Sequence, residues 1–174
     1  MTEALRVLGV DPSLTATGFA VLESIGQRCA ALTHGAVRTS ARIERAARLL
    51  KIHDEILTLG RNWQPQAIAV EAPFVAENVR SAMAIGEVRA VVLLAGAVLD
   101  IAVFEYSPTE IKQAVAGYGR SDKDQVMEMV LRQVDVNEPF TSSDAADAAA
   151  VGLCHIASQN RSQMLARASQ GSTS

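Results

Sequence analysis

Aromatic side chains are scarce in this chain, at 4% of 174 residues. That excludes a core built on stacked rings. The heavy use of alanine points instead to closely packed helices. Cysteine is rarer still. Cys29 and Cys154 are the two present, and neither belongs to a C-x-x-C pair. A disulfide framework and a cysteine-ligated zinc site are therefore excluded, and both thiols are expected buried and free in a reducing cytosol. Surplus positive charge is missing as well: 16 Lys and Arg stand against 19 Asp and Glu, for a net charge of -3. Any contact with an anionic polymer would have to rely on a local field rather than on the total. No long hydrophobic run occurs. The most apolar stretch, residues 90–99, is too short to span a bilayer, and Arg80, Glu87 and Arg89 interrupt what precedes it. The opening Met1, Thr2, Glu3 carries no signal-peptide core. A soluble, cytoplasmic protein is expected.

What is present has one organisation from end to end, with no fixed-period repeat and no internal linker. Residues 1–160 are expected to form a single domain, and 161–174 a small, polar, flexible tail. Residues 5–11, 19–23 and 29–37 read as strands with connections so short that they must be antiparallel. Residues 41–59 keep a helical period, and Gly60 to Pro65 break it. Residues 66–71 are nearly all apolar, as in a strand covered on both faces. Residues 78–99 form a long helix whose second half is apolar almost all round, and 101–105 a fifth strand. Pro108 opens a helix that Gly117 and Gly119 end. Ser121 and Asp122 cap the next helix, to about residue 134, and Ser142 or Ser143 caps the last, to about residue 158. The order βββαβαβααα predicts an α/β fold: a five-stranded mixed sheet, three antiparallel strands plus parallel ones, with helices on both faces.

Four acids stand where such a fold could gather them. Asp11 closes the first strand and Glu71 the fourth. If those strands are neighbours, their ends lie about 4.8 Å apart. Asp144 and Asp147, three residues apart, share a face of the final helix. That helix carries Ala145, Ala146, Ala148, Ala149, Ala150 and Gly152, small enough for it to lie close on a sheet. Four converging carboxylates repel and need compensation. Hard divalent cations such as Mg2+ or Mn2+ suit an all-oxygen ligand set, and two ions about 4 Å apart activate water for phosphodiester hydrolysis. Singly, each acid also has a structural explanation. Asp11 precedes Pro12 at a turn, Glu71 marks a strand end, Asp144 favours a helix dipole, and Asp147 could be an exposed helix acid. His34, His53 and His155 read as structural or surface groups.

The sequence resembles one family in four ordered stretches. Gly9-Val10-Asp11-Pro12-Ser13 with Thr17-Gly18-Phe19, then Ala69-Val70-Glu71 with Phe74 and Asn78, are similar to the first two motifs of the RuvC family of Holliday-junction resolvases. Lys112-Gln113-Ala114 with Gly117 to Lys123 looks like the third, and Asp144-Ala145-Ala146-Asp147 the fourth. Together they cover about residues 6 to 157. The resemblance implies a ribonuclease-H-like fold and a crossover junction endodeoxyribonuclease. Such an enzyme nicks a four-way junction in symmetric pairs during recombination and repair. It implies metal binding, with two Mg2+ or Mn2+ ions, by Asp11, Glu71, Asp144 and Asp147. It implies junction contacts from Phe74, Lys112, Lys123 and Arg120. As partners it implies four-way junction DNA, a second copy of the chain and a branch-migration helicase complex.

The over-apolar helix over residues 78–99 is the candidate dimer interface, with plain core as the other reading. Two departures bear on DNA affinity. Glu77 stands where the family often has lysine, and Ala72-Pro73 replaces a polar–apolar pair before Phe74. With the acidic balance they motivate a second hypothesis, a branched-DNA-binding module with little nuclease activity. An actin-like ATPase is a weaker third reading, lacking a second Gly-rich phosphate loop.

Overall fold

Three consecutive large apolar positions of the first strand, β1 (Leu5–Asp11), are fully buried or nearly so: Val7, Leu8 and, past Gly9, Val10. A strand reads this way only when helices cover both faces of its sheet. Residues 4–72 and 79–171 are described here, from a computed structural model. β1 pairs antiparallel with β2 (Ala16–Ile25), which turns through Gly26 into β3 (Arg28–Arg38), also antiparallel. Gly26 sits at φ +62°, a conformation that glycine adopts without strain.

The following helix, α1 (Arg45–Trp63), starts later than its periodicity suggests and runs through Gly60, which the sequence presents as a break. Gly60 serves packing instead. A Cβ there would lie 2.3 Å from a methyl of Leu99, on the neighbouring helix. β4 (Ala67–Glu71) lies parallel to β1. After it come α2 (Val79–Leu99) and β5 (Ala102–Tyr106), the latter parallel to β4. α3 (Pro108–Ala116) opens on a capping box between Ser107 and Glu110, and α4 (Lys123–Gln133) on one between Asp122 and Gln125.

The expected count of five strands is short by one. β6 (Asp135–Val136) pairs parallel with Ala30 and Ala31 of β3, giving a six-stranded sheet in the order β5-β4-β1-β2-β3-β6. Two residues beside a helix end carry no periodicity by which to recognise them. The last helix, α5 (Ser143–Gly171), also exceeds its expected end near residue 158. Residues 161–169, expected as part of a flexible tail over 161–174, continue it as an exposed helix. Ala, Gln, Arg, Met and Leu all favour that state.

Each face of the sheet has its own core. Val7, Ala20, Leu22 and Ala69 meet Ile111, Val115, Val130 and the alanines of α5 on one face. Leu8, Val10, Val21, Ile68 and Val70 meet Ile52, Ile56, Val88 and Val92 of α1 and α2 on the other.

α2 is 21 residues long and apolar enough, by length and composition, to cross a membrane, more than the ten-residue run had suggested. Only 22% of its most apolar window is buried. Its buried side chains pack on the sheet. Two ion pairs flank it, Glu87 with Arg45 of α1 at 2.5 Å and Arg89 with Glu105 of β5. Val79, Met83, Leu94 and Val98 are exposed. At 100° per residue they fall within one 100° sector of the helix.

Candidate active site

The register of the sheet brings the acids together. Val10 is paired with Val70, so Asp11 and Glu71 follow side by side at the ends of parallel β1 and β4. Asp11 is also paired with Gly18 on β2. α5 crosses at that point. A Cβ on Gly18 would lie 2.0 Å from the carbonyl oxygen of Asp144, and one on Gly9 would lie 2.2 Å from that of Ala148. Glycine at both positions lets the helix backbone rest directly on the strands, which sets Asp144 and Asp147 over the strand ends. The turn after Asp11 is held by its own polar groups: Thr17 Oγ1 donates to the Ser13 carbonyl at 2.6 Å, and the Ser13 hydroxyl accepts from Ala16 N at 3.5 Å.

All four carboxylates are half-buried and share one field. Burial first, then the charges of Glu71 and Asp147, a hydrogen bond with Glu71 and the charge of Asp144 push the Asp11 carboxyl up to about 7. Burial also raises Glu71, against the hydrogen bond from Asp11 and the charges of Lys123 and Lys112. A hydrogen bond joins the two carboxyls, and both are held above the ordinary carboxylate range. Two acids that share a proton near neutrality are short of positive charge.

Some of that charge comes from the protein. Lys123 Nζ lies 2.7 Å from Asp147 Oδ2, which raises the ammonium's own pKa. Arg38 lies 3.8 Å from Asp144 Oδ2. Glu71 and Asp147 line a cleft of about 270 Å³ together with Lys112, Lys123, Ile111 and Val126, among others.

Among the described residues, no three His, Cys, Asp or Glu side chains already form a ligand cage. Asp11 and Glu71 bond each other, while Lys123 and Arg38 hold the two α5 acids. The donors still fit a hard divalent cation, being oxygen only and lacking positive charge.

Of the expected DNA contacts, Lys112 and Lys123 line the cleft. Arg120 is exposed in the turn between α3 and α4 and does not line it. Phe74 lies outside the described residues, as do Glu77 and Asn78. The three histidines stand apart from the acids. His155 is buried and bonded through Nδ1 to the Tyr106 hydroxyl at 2.8 Å, His34 faces Phe140 with Nε2 3.2 Å from the Glu138 carbonyl, and His53 is beside Asp54. Arg38 is the neighbour that sequence reasoning missed. Its contact spans 106 positions of chain and leaves no local signal.

Residues 7–155 match the family described as crossover junction endodeoxyribonuclease RuvC. The chain belongs to the RuvC family. RuvC of Thermomicrobium roseum is 41% identical over 163 residues, covering 92% of this chain and 98% of that one. RuvC of Halothermothrix orenii is 39% identical over 149 residues, with 86% and 90% covered. The fold agrees with that of T. thermophilus RuvC in complex with Holliday junction substrate, at a TM-score of 0.85, 29% identity and coverage of 91% and 96%. The ribonuclease-H-like α/β architecture is therefore that of RuvC, with a sixth short strand.

Proposed function

We propose that this RuvC-family chain resolves four-way DNA junctions during recombination and repair, cutting phosphodiester bonds in symmetric pairs with divalent metal. The observation that carries this reading is the common field of Asp11, Glu71, Asp144 and Asp147, with Glu71 and Asp147 lining one cleft, inside the span that matches the family. The relative from T. thermophilus, bound to a Holliday junction substrate, supports the choice of DNA.

The four acids would hold the metal. Mg2+ or Mn2+, as two ions, would supply an activated water and stabilise the leaving oxygen. Asp11 and Glu71 would hold it once their carboxyls are ionised. Asp144 and Asp147 close it from the helix side. Lys112 and Lys123, which line the same cleft, would attract the anionic strand and hold a phosphate beside the acids. Phe74 and Arg120 are carried over from the family resemblance as further junction contacts.

The protein acts as a two-fold dimer, because a junction offers two equivalent strands. The exposed sector of Val79, Met83, Leu94 and Val98 on α2 is the surface that a second copy covers. A branch-migration helicase complex is the expected further partner, and the cytoplasm the expected compartment. The test is a synthetic four-way junction incubated with Mg2+ or Mn2+. Paired nicks on opposed strands support the reading, and cutting in EDTA or retention without nicks under either metal would contradict it.

A further inference from the structure

An acidic protein must concentrate its cations somewhere to hold DNA, and residues 38–51 contain Arg38, Arg42, Arg45, Arg48 and Lys51 against a single acid, Glu44. These residues join the end of β3 to the first turns of α1, outside the four motifs that carry the family resemblance. From this segment we infer a second phosphate-tracking surface, on the side of the acidic cleft opposite Lys112 and Lys123. It takes the backbone of a nucleic acid strand leaving the site. The inference rests on the junction-binding reading and adds a contact surface to it.

Geometry supports it in three ways. First, Arg38 is paired with Ala16 across β2, at the same end of the sheet as Asp11, and its guanidinium is 3.8 Å from Asp144. Two strand spacings, about 10 Å, separate β3 from β1. Successive phosphates of one strand advance about 3.4 Å along a duplex axis, so that span covers a few phosphates. Second, the segment is fixed in place. Thr39 N donates to the Thr15 carbonyl at 2.9 Å, the Arg48 guanidinium donates to the Leu14 carbonyl at 3.0 Å and to Thr39 Oγ1 at 2.8 Å, and Lys51 Nζ donates to the Arg38 carbonyl at 3.0 Å. The bonds to Thr15 and Leu14 anchor the segment to the turn that follows Asp11, and the other two brace it internally. Third, the cations divide by role. Arg48 is spent on that anchor and Arg45 on Glu87. Arg42 is exposed, and its side chain has no partner among the described residues, which leaves its charge available to a phosphate.

The experiment measures binding of a labelled synthetic four-way junction by anisotropy, in EDTA, across a salt series. Each lost phosphate contact lowers the slope of log K against log salt by about 0.9. Arg42→Gln is expected to lower it by about one contact and the double variant R38Q/R42Q by about two, with binding at low salt weakened roughly tenfold or more. Arg61→Gln, at the far end of α1, is the control and keeps the wild-type slope. Thermal midpoints confirm that each variant is folded. A wild-type slope in Arg42→Gln overturns the inference. So does a slope for R38Q/R42Q no lower than that of Arg42→Gln, because Arg38 would then serve only as the counterion of Asp144. Wild-type nicking with Mg2+ or Mn2+ is scored in parallel. If it is present while the variant slopes stay unchanged, the added surface alone is refuted; if wild type neither binds nor nicks, the junction reading itself falls.

Discussion

The carbonyl oxygen of Asp144 rests on Gly18, 2.0 Å from where a Cβ would be. One missing methyl thus sets the distance from the final helix to the strand paired with Asp11. Gly18→Ala must push α5 away, at an overpacking cost of about 1–3 kcal/mol or more, because the atom met is backbone. Urea unfolding should show that loss. Nicking should fall further than the folded fraction, because the helix carries two of the four acids.

Asp147→Asn keeps the size of the side chain and removes its charge. In the proposed role of a direct metal ligand, its loss should cost more than the 10- to 100-fold typical of outer partners of a metal site. We expect junction nicking reduced more than about 100-fold and an unchanged circular dichroism spectrum. Robust cutting by this variant would remove the acids from the chemistry.

The metal-free protein should lose stability as pH rises. Asp11 titrates near 7 when folded and near 3.8 when unfolded, and Glu71 is shifted in the same direction. The folded state therefore binds more protons than the unfolded one between those values. This stabilisation is complete below about pH 4 and is lost as pH rises through about 7. Thermal midpoints in EDTA should fall from pH 5 to 8 from this pair, and Asp11→Asn should flatten the dependence. A midpoint that rises across that range in wild type and variant alike would contradict the shared proton.

Leu94→Glu puts a charge into the exposed apolar sector of α2 and touches none of the acids. Sedimentation should give a dimer for wild type and a monomer for the variant. Nicks by the variant should lose their pairing. A variant that stays dimeric would move the interface elsewhere.

Much of this was legible in the sequence, for physical reasons that differ by element. β1 and β4 announced themselves because a strand covered on both faces has no polar alternation. Asp144 and Asp147 were legible as a pair because helical spacing alone puts them on one face. Gly60 misled because glycine reads as a break, whereas here it serves contact with Leu99. β6 was invisible because two residues carry no period. Lys112 and Lys123 entered only through the family resemblance, and the structure sets both on the cleft. Arg38 and the shared proton of Asp11 and Glu71 depend on tertiary proximity, which no window of sequence contains.

The four acids come from the first strand, the fourth strand and the start of the last helix. No piece of the chain shorter than residues 11–147 holds them all. A nascent chain emerging from the ribosome through β4 carries Asp11 and Glu71 without Asp144 and Asp147. Closing the site waits for contacts more than 130 residues apart in sequence, the kind that form late and slow folding. The order of synthesis therefore withholds the complete set of four acids until residue 147 has been made.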